Sequence, residues 1–210
     1  MTQPTDWRTL LPQLHGLPLL PCKSKTPMDP ATGGNMRGWP TAAYSPQQIA
    51  ALGERITGCG TRTVRDARGL LAFDLDGAAA VSFARERGCD PAAAETWQIV
   101  RTTDPARLKV LWRAPAELWP VLGDLRTERK LKPPVKDERG RVIAKGEGIE
   151  LYFGAGQILL LGLHPESRGQ YSWQRCPAEL AEIPRDWWRM AQELADSAPP
   201  EQRGQRHVPR

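Results

Sequence analysis

Two carboxylates two residues apart carry the most chemistry in this chain: Asp74 and Asp76, in the stretch Gly69-Leu-Leu-Ala-Phe-Asp-Leu-Asp-Gly77. An apolar run from Leu70 to Phe73 that ends in acids and a glycine has the composition of a buried strand entering a turn. Side chains two apart on a strand share a face, so both acids would project together from its end. Two like charges held that close repel, and a hard divalent cation relieves the repulsion. The same residues also read as a helix N-cap followed by a solvated turn acid.

The elements around the pair have to place it. Ala78–Arg87 is rich in helix formers and stops at Gly88, which puts the acids at a strand-to-helix junction. Gly58–Val64 and Gly69–Leu75 read as two neighbouring strands joined by the charged turn Arg65-Asp66-Ala67-Arg68. Trp97–Thr103 and Arg107–Arg113 make a hairpin around Asp104-Pro105, with Arg107, Lys109 and Leu111 on one face and Leu108, Val110 and Trp112 on the other. Upstream lie a short helix Trp7–Leu14, an edge strand at Leu17–Pro21, and a loop of Pro, Gly and basic residues from Cys22 to Pro40. A helix then opens with Ser45-Pro46.

Residues 114–125 read as a short helix. Between Asp124 and Glu147 stand eight Lys/Arg, among them Lys130 and Lys132, against five Asp/Glu. This is either a solvated hairpin of mixed charge or a template contact. Strands at Ile149–Phe153 and Gln157–His164, a loop and short strand to Trp173, and an amphipathic helix Pro184–Ala195 packing through Trp187, Trp188, Ala191 and Leu194 complete the pattern. The class is α+β, with residues 1–196 as one domain and 197–210 as a disordered tail or linker.

Of the 210 residues 25% are charged, and no apolar run nears the roughly 20 residues that cross a bilayer. With no secretory signal visible, a cytoplasmic location and no membrane partner are expected. Cys22, Cys59, Cys89 and Cys176 show neither CxxC nor zinc-finger spacing and read as reduced thiols. The net charge of +5 mildly favours a polyanionic partner. Nothing points to an obligate dimer, so a monomer is expected.

The order of short motifs resembles a known family. Leu17-Pro-Leu-Leu-Pro, Lys25-Thr-Pro, Gly38-Trp-Pro, Gly58-Cys-Gly, Leu70 to Gly77, Gly148-Ile-Glu-Leu and Gly162-Leu-His-Pro-Glu-Ser-Arg-Gly-Gln-Tyr-Ser-Trp are similar, in sequence order, to the primase–polymerase (prim-pol) domains of the archaeo-eukaryotic primase superfamily. The resemblance covers roughly residues 17–175. It implies a two-lobed α+β core whose RRM-like sheet carries three catalytic carboxylates, Asp74, Asp76 and Glu150, holding two Mg²⁺ or Mn²⁺ ions. It also implies nucleotidyl transfer from an NTP or dNTP to a 3′-hydroxyl on a single-stranded DNA template. One metal would lower the pKa of the attacking hydroxyl and the other would neutralise the leaving phosphates. Replication of a plasmid, phage or prophage, with a helicase region in the same polypeptide, is the implied setting.

One position departs from the pattern. Where the family places a histidine on a middle strand, this chain has Lys109, which can still meet phosphate as a point charge, reinforced by Arg107 and, across the hairpin, Arg101. His164 matches the family's closing His-Pro near the nucleotide. Lys25 and Arg37 in the early loop, with Lys130 and Lys132, are candidate template contacts. Each also reads as an ordinary solvated charge or loop residue. Two other functions stay open: a non-catalytic nucleic-acid-binding module derived from a primase, and a metal-dependent phosphohydrolase, in which Asp-x-Asp after an apolar strand also occurs.

Overall fold

The computed structural model describes residues 6–63, 69–122, 125–154, 156–164 and 169–199. Period-two apolar patterns build most of it. In chain order the strands are β1 (Leu19–Lys23), β2 (Thr26–Pro27), β3 (Gly58–Arg62), β4 (Leu70–Asp76), β5 (Trp97–Arg101), β6 (Asp104–Arg113), β7 (Leu125–Lys132), β8 (Val135–Lys136), β9 (Val142–Ala144), β10 (Glu147–Phe153), β11 (Gln157–Leu163) and β12 (Gln170–Arg175). The helices are α1 (Pro46–Ala50), α2 (Ala78–Arg85), α3 (Trp119–Leu122) and α4 (Arg185–Ser197). No helix among the described residues is long and apolar enough to cross a membrane.

Ten strands form one antiparallel sheet in the order β2-β1-β3-β11-β12-β5-β6-β4-β10-β7, and β8 and β9 form a separate two-stranded pair among the described residues. β4 and β5 run the same way with β6 between them, and α2 makes the crossover, a split β–α–β arrangement.

Both faces of β4 are packed, each by a different layer. Leu71, Phe73 and Leu75 join Leu108, Val110, Trp112, Ile149, Leu151 and Phe153 under α2 and α4. There the Phe73 ring meets Trp187 edge-on, centroids 5.0 Å apart, a geometry that adds about 1 kcal/mol to the burial itself. On the opposite face Leu70, Ala72, Leu111 and Tyr152 pack with Cys59 of β3 and Ile158–Leu161 of β11. Those strands lie several positions along the sheet from β4, so the contact requires the sheet to curl over itself. Asp74 and Asp76 share the Leu70/Ala72 face, just beyond the point where that second layer stops.

The paired strands β3 and β11 approach each other unusually closely at one point. Gly58 and Gly162 are register partners, and a Cβ on Gly162, whose φ is +119°, would stand 2.3 Å from the Gly58 Cα. Glycine at both positions is what the approach demands.

Several elements differ from the sequence expectation. Trp7–Leu14 is the expected short helix, and it is of the 3₁₀ type with Pro12 inside it. β3 and β4, expected as neighbours, stand in different parts of the sheet with β11, β12, β5 and β6 between them, and the turn at 65–68 lies outside the described residues. β1 is not the sheet's outermost strand, because β2 pairs with it at Cys22 and Lys23. Residues 125–132, expected within a solvated excursion, form the edge strand β7 against β10. In α4 the expected packing residues Trp187, Trp188, Ala191 and Leu194 all meet the core, Trp188 half-buried at its edge, and Met190 and Ala195 join them. Of the expected 197–210 tail, positions from 200 onward lie outside the described residues.

Candidate active site

Strand register gathers the site. Asp74 is the Cα partner of Lys109 on one side and of Glu150 on the other, so three neighbouring strands put these side chains in one row across the sheet. One row further, Asp76 faces Arg107 and Gly148. The row opens into a cavity of about 490 Å³ lined by Asp74, Asp76, Glu150, Lys109, Arg101 and Lys25, among others. A second cavity of about 460 Å³ continues from Asp76 and Glu150 past Arg107 to Lys130 and Lys132.

Each acid is met by a cation of the chain. The Lys109 Nζ donates to Asp74 Oδ2 at 2.5 Å, with the two side chains only 9% and 18% exposed. The Arg107 Nη1 donates to Asp76 Oδ1 at 2.8 Å, and the Arg101 Nη2 stands 3.9 Å from the same oxygen. Arg126 Nη2 donates to Glu150 Oε2 at 3.4 Å, and the Tyr152 hydroxyl donates to the same oxygen. Burial pushes the Asp74 carboxyl above the usual carboxylate range, although the Lys109 ammonium opposes it. Burial works most strongly against charge on Lys109, but the charge and hydrogen bond of Asp74, with Tyr171 and Asp76 beside it, together hold the ammonium above the ordinary lysine value. The pair is a charge-assisted bond in a dry place, and the Tyr171 ring lies 5.2 Å beneath the ammonium.

The junction after the acids is braced from β10. Gly77 has φ +104°, and the Glu147 Cγ occupies the space a Cβ would need, 2.6 Å away. Glu147 Oε2 accepts the Ala79 N–H at the start of α2 at 2.5 Å, and Oε1 accepts from Lys132 at 3.0 Å. The bond from Ala79 and the Lys132 ammonium hold the Glu147 carboxyl below its usual range. Arg107 Nη2 donates to the neighbouring Gly146 oxygen, tying the same segment to Asp76.

Other expected residues fall in different places. Lys25 sits in the two-residue turn between β1 and β2, its carbonyl accepting from Gln157 Nε2, and its exposed side chain lines both cavities. Lys130 and Lys132 line the second cavity. His164 is buried at 1% exposure, packs against Tyr171 with centroids 5.8 Å apart, and lines neither cavity. Positions 165–168 of its motif lie outside the described residues. Arg37 is exposed and lines neither cavity.

The sequence reading missed Tyr152, Arg126, Tyr171 and Glu147. Tyr152 follows Glu150 by two on one strand, so the period-two rule alone places it on the acid's face. Glu147 had no such signal, because its partner Ala79 is 68 residues away.

The three carboxylates fit a hard divalent cation in donor type, being all oxygen. The bonds above use Asp74 Oδ2, Asp76 Oδ1 and Glu150 Oε2, so one oxygen of each acid makes no hydrogen bond among the described residues. No three acidic, histidine or cysteine side chains among the described residues are drawn together into a ready-made metal cluster.

The family model for bifunctional DNA primase/polymerase, N-terminal (Prim-Pol), matches residues 11–187. The chain is a Prim-Pol family member. The matched span runs from the first 3₁₀ helix into α4 and contains every residue of the acidic cleft. No curated protein sequence matches the chain. Prim-Pol membership implies a nucleotidyltransferase of the primase/polymerase kind, with DNA and nucleotides as substrates and divalent metals in general use. The α+β architecture with a large curled antiparallel sheet is consistent with that family's fold.

Proposed function

We propose that this Prim-Pol domain synthesises or extends a primer on a single-stranded DNA template, using Asp74, Asp76 and Glu150 as its metal-holding acids. The observation that carries the proposal is the row Lys109–Asp74–Glu150, which sets carboxylates and a buried cation side by side at the floor of one cavity. Bound Mg²⁺ or Mn²⁺ would activate the 3′-hydroxyl and neutralise charge on the departing pyrophosphate.

The chain's own residues do the rest in this reading. Asp74, Asp76 and Glu150 offer their remaining oxygens into the cavity. Lys109, Arg107 and Arg101 are cations within reach of a triphosphate lying over the acids, and the bonds to Asp74 and Asp76 hold Lys109 and Arg107 in place. Lys25 lines both cavities, and Lys130 and Lys132 line the route along which a template's phosphates would run. His164 packs against Tyr171, the ring that lies against the Lys109 ammonium, and through it can act on the nucleotide site, while Arg37, exposed outside both cavities, remains a template contact in this reading. The two lobes of the family core correspond to the helix-covered and the curled parts of the sheet. Replication of a mobile element, with a helicase region in the same polypeptide, rests on the family resemblance alone.

A nucleic-acid-binding module without catalysis is the second reading, favoured by the ion pairs that engage Asp74 and Asp76. A phosphohydrolase is disfavoured, because the family match extends well past Asp-x-Asp. A defined template of mixed sequence tests the proposal: with metal and all four nucleotides, products complementary to the template, with or without a primer, are expected. Template binding with no incorporation under either condition would leave the second reading.

A further inference from the structure

We propose that the ribbon formed by β8 and β9 is an arm that grips single-stranded DNA beyond the acidic cleft. The choice of polymer rests on the primase reading above; the surface itself is argued from its own residues. Among the described residues the exposed large hydrophobics are Val135, Val142, Ile143 and Leu163, and three of the four are on this ribbon, at 54%, 55% and 67% exposure. Val142 and Ile143 are consecutive and face opposite sides, so both faces of the ribbon present aliphatic surface.

The ribbon is built rather than frayed. Asp137 accepts the N–H groups of Arg139 and Arg141, pairs with the Arg141 guanidinium at 2.7 Å, and closes a turn in which Gly140 takes φ +75°. A two-stranded ribbon with no layer packed on it is marginal by itself, and exposed branched side chains on it gain only when a partner covers them.

Charge narrows the partner to a polyanion. Residues 132–145 hold Lys132, Lys136, Arg139, Arg141 and Lys145 against Asp137 and Glu138, five positive and two negative, a net +3. Lys136 and Arg139 make no ion pair among the described residues. Aliphatic side chains interleaved with uncommitted cations suit a strand that offers phosphates and, unstacked, its sugar and base faces. The same chemistry would serve an anionic lipid surface. Position favours the polynucleotide: the 460 Å³ cavity runs from Asp76 and Glu150 to Lys132, Pro134 and Lys145 at the ribbon's base, so a strand leaving the acids meets the ribbon next.

The test uses the full chain and a labelled thymidine oligonucleotide of about 16 nucleotides, with fluorescence anisotropy over a salt series. Val135→Ser/Val142→Ser/Ile143→Ser should weaken binding about tenfold with the salt slope unchanged. Lys136→Gln/Arg139→Gln should lower the slope of log K against log salt by about 1.4, two phosphate contacts' worth on a single strand. The substituted side chains are exposed, so unchanged thermal midpoints check the fold. Parent-like affinity and slope in both variants would overturn the proposal. So would lost binding to phosphatidylglycerol vesicles with oligonucleotide binding intact, which would assign the ribbon to a lipid surface. A nucleotide-incorporation lane separates the two claims. Ribbon-dependent binding without incorporation contradicts the proposed function alone, and incorporation with ribbon-independent binding contradicts this inference alone.

Discussion

Lys109 and Asp74 face each other across β6 and β4 as register partners, with Nζ 2.5 Å from Oδ2 and little of either side chain in water. A buried charge left without its partner is costly, whereas replacing both together is not. Lys109→Met should therefore destabilise the domain by about 3 kcal/mol, and the double variant Lys109→Met/Asp74→Asn by clearly less than the sum of the single changes. Urea unfolding of the four proteins measures this coupling. Strict additivity would mean that the pair does not hold the strands' ends together.

Tyr152 donates its hydroxyl to the same Glu150 oxygen that Arg126 reaches. Tyr152→Phe keeps the ring in its core and removes the bond that orients the acid. About tenfold more Mn²⁺ should be needed for half-maximal incorporation, with the thermal midpoint close to the parent's. An unchanged metal requirement would separate Tyr152 from the acid's function.

Glu147 carries a depressed carboxyl through its bond from Ala79 and its pair with Lys132. A carboxyl lowered in the fold contributes stability that is present above its unfolded value, about 4.3, and is lost as pH falls from there through the folded value. Glu147→Gln should reduce stability at neutral pH and flatten the acid limb of the stability profile below about pH 4.5. Thermal melts across pH for parent and variant check it. Parallel curves would show that the carboxylate's charge is not what braces α2.

How far the sequence foretold this arrangement depends on the distance over which each contact acts. Asp74 and Asp76 at the end of a buried strand, the two faces of β6, and the Ser45-Pro46 start of α1 were all legible, because each rests on spacing of a few residues. The separation of β3 from β4 was not. It arises because β11 and β12, about a hundred residues further on, insert beside β3, and nothing in residues 58–76 encodes which strand will pair there. Lys109 was singled out as a departure from a family motif, but its bond to Asp74 followed only from the register of β6 on β4. Glu147 was invisible for the same reason as β11: its role lies in a contact across the sheet. In α4 the helical period identified the packing stripe, with Trp188 at its half-buried edge, but left out Met190, since a stripe's width is fixed by the layer it meets.

The central claim, that the acids of the cleft form a metal-dependent nucleotidyl-transfer centre, is tested most directly by nucleotide incorporation on a primed single-stranded template. Parent and Asp74→Asn/Asp76→Asn are compared in Mn²⁺, with oligonucleotide binding measured alongside. The account predicts at least about 10³-fold slower incorporation in the variant, abolition of the parent's activity by chelation, and template binding as tight as the parent's or tighter. Equal incorporation by both proteins, or activity that persists in chelator, would contradict it.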